Sequence, residues 1–229
     1  MIFIIIGVFI GIVVLLTILL KSLRKAIFIS NILFIVLGLT IGVLIVKDIN
    51  DFREKFFVET KIFLLENKNN IVAGIALTSL DENFKLLNNI KELNYYYKNK
   101  RFNKLLDNGW KIFIINTDVF TNLDKDINID GLTFKKRALL RILTFHTLEE
   151  LKKYLNLPLN LEMNLTEIKV MSFSLLMKDE FEERPLFLLE EYKNKNVIIY
   201  PKTPMLLALD LLPNWFTKKI ITQYGGEIK

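Results

Sequence analysis

The chain has no cysteine and a single histidine. Disulfides, thiolate metal sites and a cysteine nucleophile are therefore excluded. A Ser-His-Asp triad, like most zinc sites, would have to recruit that one imidazole, His146. It stands at a predicted helix junction beside Thr147 with no accompanying motif, and reads as a cap-region or surface residue. Glycine and proline are sparse, nine and five among 229 residues, against an abundance of Lys, Ile, Leu and Asn. Acid is missing altogether from the first 47 residues, and neither Ile2 to Leu20 nor Ala26 to Val46 holds a charge of either sign.

Those two uncharged stretches organise the reading. A helix needs about 20 apolar residues to cross a hydrocarbon layer about 30 Å thick, and both meet that length. Only Lys21-Ser22-Leu23-Arg24-Lys25 separates them. The first run lacks a basic n-region and a small-x-small cleavage site before Lys21, so it reads as a retained span and not as a signal peptide. Residues 1–47 are expected to form a transmembrane helical hairpin with spans at about 2–20 and 26–46, its first partner being the lipid bilayer.

Each span carries one glycine pair, Gly7 with Gly11 and Gly38 with Gly42. Glycine lets helix backbones approach where lipid offers no hydrophobic drive for association. With the turn centred on Leu23 the pairs lie at similar depth, which predicts a seam between the two spans. Asn31 is the strongly polar side chain within the spans and is expected to bond a backbone carbonyl or Thr17 of the first span. No ionisable group lies in either span, so neither a pore nor a proton path is indicated. Lys21, Arg24 and Lys25 crowd the turn, while Lys47, Arg53, Lys55 and Lys61 are spread out. That density places the turn on the cytoplasmic side of the cell membrane and both termini and the large domain on the extracytoplasmic side.

The remaining 182 residues are one domain's worth, with 27 Lys and Arg against 25 Asp and Glu. The pI of 9.3 thus comes largely from the anchor, and no nucleic-acid surface is expected. Residues 48–60 form a charged, Phe-bearing juxtamembrane connector that extends the second helix. Residues 61–229 read as a soluble α+β domain, because strands and helices mix without regular alternation.

Within that domain, Ile62 to Leu65 and Ile71 to Leu77 flank a polar turn and predict a β-hairpin. Ser79 with Glu82 matches a capping box and opens a helix expected to reach Leu106, before the Asn108-Gly109 stop. Trp110 to Asn116 predicts a buried strand, and Thr117 to Asp130 a polar loop. Phe134 to Leu143 is amphipathic, with Lys135, Lys136, Arg137 and Arg141 on its polar side. Thr147 and Glu150 form a second capping box, for a helix to Leu155. Glu167 to Met177 is assigned as strand. Leu186 to Glu190 and Val197 to Tyr200 predict a second hairpin whose Phe187-Leu188-Leu189-Glu190 echoes Phe63-Leu64-Leu65-Glu66, a hint of duplication. Thr203-Pro204 starts a short helix to Leu212. A last helix carries Trp215, Phe216, Ile220 and Ile221, ends at Gly225-Gly226, and either closes the core or lies on the membrane with Lys218 and Lys219.

The sharpest chemical signal is Asp126-Ile127-Asn128-Ile129-Asp130-Gly131, with Asp124 before it. Oxygen ligands every second residue and the Gly match the first half of an EF-hand calcium loop. Arg137 stands where the bidentate Glu belongs, and Asp130-Gly131 also suits a hairpin turn. Asp124, Asp126, Asn128 and Asp130 are the candidate metal ligands. Asp118 sits where a strand's end would place a functional carboxylate, and Asp210 lies inside an apolar helix. No segment carries a motif that names a reaction. The expectation is a non-enzymatic, membrane-anchored binding or scaffolding protein without a cofactor, acting as an accessory subunit through a protein partner or as a homo-oligomer. The alternatives are an extracytoplasmic ligand- or ion-binding sensor and a membrane-tethered hydrolase.

Overall fold

The computed structural model describes residues 2–19, 23–78, 85–129, 132–158, 162, 164–184 and 186–213. The chain divides into two compact units, residues 1–55 with 202–212, and residues 56–201 with 213–229.

The first unit opens with α1 (Ile2–Leu19). α2 (Leu23–Val58) then runs unbroken for 36 residues, so the connector is helical almost to its end. The stretch Ile27–Phe56 is long and apolar enough to cross a membrane. The Phe9 and Phe34 rings meet with centroids 6.2 Å apart. A Cβ built on Gly7, Gly11, Gly38 or Gly42 meets nothing within 4 Å among the described residues. Leu33, Leu37, Ile41 and Leu44 of α2 are half-buried and recur at three- and four-residue spacing; Ile29, Gly42 and Ile45 are half-buried as well. Asn31 is exposed, and no hydrogen bond joins its side chain to another described residue.

The second unit is mixed α+β. β1 (Lys61–Asn67) and β2 (Asn70–Leu77) form the predicted hairpin. Its turn holds Lys68 and Asn69 at φ 48° and 66°, the left-handed pair whose twist matches that of the flanking strands. β3 (Lys85–Leu86) pairs with β2. α3 (Ile90–Lys98) and α4 (Phe102–Leu106) cross over to β4 (Lys111–Asn116), which runs parallel to β1. After a 3-10 turn at Thr117–Val119, β5 (Asp126–Ile129) and β6 (Leu132–Lys135) make an antiparallel ribbon. α5 (Lys136–Thr144), α6 (Leu148–Leu155), α7 (Leu165–Glu183) and α8 (Phe187–Lys193) follow. β7 (Val197–Tyr200) closes the five-stranded sheet against β4, giving the order β3-β2-β1-β4-β7.

Both faces of β1 and β4 are buried, which is why these strands read as unbroken apolar runs. Successive side chains alternate across the sheet. Ile62, Leu64, Ile112 and Ile114 pack on the face carrying Leu93, Phe102 and Leu105 of α3 and α4. Phe63 and Phe113 stack at 5.0 Å on the other face, where Phe181 of α7 meets Phe63 and Phe187 edge-on. Each such buried ring stabilises the unit by about 1.5–3 kcal/mol.

Several predicted elements change. Glu167 to Met177 is not a strand but the middle of α7. The Asn164 side chain accepts from the Thr166 and Glu167 N–H groups and fixes the helix start. The buried stripe Val170, Phe173, Met177 and Glu180 has helical spacing but ends on an acid, which blunts its apolar pattern. Leu186 to Glu190 lies in α8, not in a second hairpin, so its likeness to Phe63 to Glu66 has no structural counterpart. The helix expected from Ser79 starts instead at the Asn89 cap and breaks after Lys98, with Lys100 at φ 54°. Residues 79–84, including the Ser79 and Glu82 pair, lie outside the described residues, as does the whole predicted C-terminal helix.

The last described helix, α9 (Pro204–Leu211), belongs to the first unit. Thr203 is its N-cap residue, yet its side chain makes no cap bond. The Met205 N–H donates to Asp48 Oδ2 at 2.6 Å instead, placing a carboxylate at the positive end of the helix. Asp210 accepts from Lys202 at 2.8 Å.

Candidate functional site

β1 and β4 end side by side, with Glu66 in register with Asn116. The crevice beyond the carboxyl ends of such strands is where ligands collect in open sheets. Here it is a cleft of about 510 Å³ lined by Glu66, Asn67, Lys68, Asn69, Tyr97, Asn116, Thr117 and Asp118.

Hydrogen bonds brace its floor. Glu66, only 8 % exposed, accepts from the Asn69 N–H through Oε1 and from Asn116 Nδ2 through Oε2 at 2.8 Å. Asn116 Oδ1 accepts from the Asp118 N–H at 2.8 Å, and the Thr117 hydroxyl donates to Asn67 Oδ1 at 3.5 Å. One wall comes from α3, where the Asn94 side chain accepts from the Ile71 N–H and donates to the Ile71 carbonyl. That clamp sets Tyr97, one turn later, against the cleft. Burial, with the Glu66 carboxylate beside it, pushes the Tyr97 hydroxyl above its ordinary pKa. Asp118 is exposed.

Chemically this is a surface of amides, hydroxyls, the Lys68 ammonium and one free-standing carboxylate, Asp118. Both Glu66 oxygens are already engaged, so Glu66 holds the cleft's shape and leaves no oxygen free for general-base work. The sequence pointed to Asp118 alone. It missed Glu66 and Asn116, because only the parallel pairing of β1 with β4 brings residues 50 positions apart together.

A second polar constellation has a buried centre and an exposed rim. Lys136 and Glu180 are 0 % exposed. Lys136 Nζ lies 2.8 Å from Asp179 and 2.6 Å from Glu180, and Lys125 Nζ contacts Asp179 and Glu183 at 2.5 Å each. Arg184 pairs with Glu180 and with Glu191 at 2.8 Å and donates to the Val119 carbonyl. Asn196 donates to Glu191. Burial works to raise the Asp179 carboxyl, but the Lys125 and Lys136 ammoniums outweigh it and hold the group below its ordinary range. Asp179 and Glu183, bonded to Lys125, raise that ammonium above its usual value. The network ties the segment before β5 and the start of α5 to α7 and α8. Lys136, predicted on a solvated face, turns inward because Asp179 and Glu180 meet it there.

The calcium candidates fall on the β5–β6 ribbon. Asp126 pairs with Lys135 at 2.7 Å, Asp124 with Arg137 at 3.1 Å, and Asn128 accepts from the Thr133 hydroxyl. Asp130 lies outside the described residues, and among those described no group of three His, Cys, Asp or Glu could hold a metal ion. His146 is exposed, and its backbone N–H donates to Glu150 in the predicted capping box of α6. Those backbone bonds, from His146 first and Thr147 second, draw the Glu150 carboxyl below its ordinary pKa. Compared with protein-family models, curated proteins and solved structures, the chain matches none.

Proposed function

We propose that this chain is a membrane-anchored binding protein whose α+β unit receives a small polar ligand in the cleft at the ends of β1 and β4. In this reading α2 crosses the bilayer and α1 crosses beside it, with the basic turn inside and the α+β unit on the extracytoplasmic side. The Phe9 and Phe34 contact and the uncharged run of α1 support the second span.

The cleft carries the binding part of the proposal. Its two carboxylates, Glu66 and Asp118, face one ammonium, Lys68. An anion entering there meets like charge and gains no paired cationic fork. The ligand class is therefore neutral or cationic and rich in hydrogen-bonding groups, such as a polyol, a sugar or an amine. The same cleft favours the sensor reading over a purely structural scaffold.

The test is a thermal-shift and calorimetric panel on the full chain in detergent, using neutral sugars, polyols, amines, phosphate and dicarboxylates. Binding by a neutral or amine member, lost in Asp118→Ala and Thr117→Val, is expected. Preferential binding of the anions, or binding unchanged in both variants, would overturn the assignment.

A further inference from the structure

We infer that the ligand of the cleft at the ends of β1 and β4 is a zwitterion, a free α-amino acid or a small relative bearing both a primary ammonium and a carboxylate, held between Asp118 and Lys68. The inference rests on the reading of that cleft as a binding site and narrows its ligand to one class. Both side chains line the cleft of about 510 Å³, and both are exposed. Neither charged group has an ion-pair or hydrogen-bond partner among the described residues. Lys125, Lys135 and Arg137, by contrast, each close on an acid. Two opposite charges thus border one cleft without closing on each other. A molecule that bridges them must carry one charge of each sign.

The backbone beneath each charge is fixed. Lys68 sits in the two-residue turn between β1 and β2 at φ 48°. Its carbonyl accepts from Asn70 Nδ2 at 3.0 Å, and the following N–H, that of Asn69, donates to the buried Glu66. Asp118 lies between its N–H bond to Asn116 Oδ1 and the buried Val119. Groups held on braced turns lose less freedom on binding than groups on loose ones. Thr117, also on the lining, donates to Asn67 and keeps its oxygen lone pairs for a second donor. With Asp118 next to it, that oxygen suits an ammonium with N–H groups to give, and not a quaternary one. The Tyr97 ring packs against the core. Its hydroxyl, kept protonated by burial and by the Glu66 carboxylate, offers the ligand's side chain a neutral surface. A plain amine leaves Lys68 unanswered, and a sugar leaves both charges unanswered. A zwitterion gains a charge-assisted hydrogen bond at each end.

Calorimetry on the full chain in detergent tests this with the twenty L-amino acids, and with the amide and the deaminated acid of the tightest binder. The free amino acid is expected to bind about tenfold tighter than either analogue. Lys68→Gln is expected to erase its preference over the amide, and Asp118→Asn its preference over the deaminated acid, which a merely structural role would not do. No amino acid bound, binding no tighter than that of either analogue, or preferences unchanged in both variants would overturn the inference. Sugars, polyols and plain amines separate the two readings. Their binding without any preference for a zwitterion defeats only the ligand class, whereas no binding by any compound defeats the cleft as a site as well.

Discussion

Lys136 shows how little a residue's class says about its place. It belongs to a basic run on an amphipathic helix, yet its ammonium sits fully buried between Asp179 and Glu180. Removing one member of a buried ion pair leaves the other charge without compensation, so Lys136→Met is expected to cost about 3–5 kcal/mol. Denaturant melts of the full chain in detergent check this; a loss near zero would mean that water reaches the network. Asp179 adds a pH signature. Its folded-state pKa is depressed, so its contribution is present above the unfolded carboxylate value of about 3.9 and is lost as pH falls through the folded value. Stability is expected to decline below about pH 4, and Asp179→Asn to flatten that decline while lowering stability at neutral pH. Asn116→Ala would strand one oxygen of the buried Glu66 and cost about 1–3 kcal/mol, with binding in the cleft lost as well.

At the scale of elements, signals that live within a few residues were legible. The Thr147 and Glu150 capping box, the β1–β2 turn, the strand Lys111–Asn116 and the helix after Thr203-Pro204 stand where local chemistry placed them. The failures share a cause. α7 and α8 bury charged residues along their inner faces; two of the partners that make this tolerable, Lys125 and Lys136, lie 54 and 43 positions from Asp179, and the third, Arg184, caps the end of α7 between the two helices. Periodicity of apolar residues cannot register a stripe completed by acids. α9 had a visible start but not its real stabiliser, Asp48, which lies 157 positions before Met205. Asp48→Ala is expected to fray α9 and cost about 0.5–2 kcal/mol. Hydrogen exchange should show faster opening of the Met205 and Leu206 amides, and unchanged protection there would contradict the assigned role.

For the whole molecule, the division of labour was written most plainly in charge and hydropathy. A stretch of α2 without a single ionisable side chain from Ala26 to Val46 has no use in a water-facing helix, and its large apolar side chains, Phe28, Phe34, Leu39 and Val43 among them, are exposed. The cleft was not legible in the same way, since strand order and direction, rather than any motif, bring its lining together. The account stands on the claim that this helix crosses a bilayer. The most direct measurement is alkaline carbonate extraction of the full chain from membranes, alongside a variant that lacks α1 and carries Leu37→Lys and Ile41→Lys in the middle of α2. Two charges at that depth cost several kcal/mol of insertion. The wild-type chain is expected to remain wholly in the membrane pellet and the doubly charged variant to shift to the supernatant. Release of the wild-type chain into the supernatant would contradict the account.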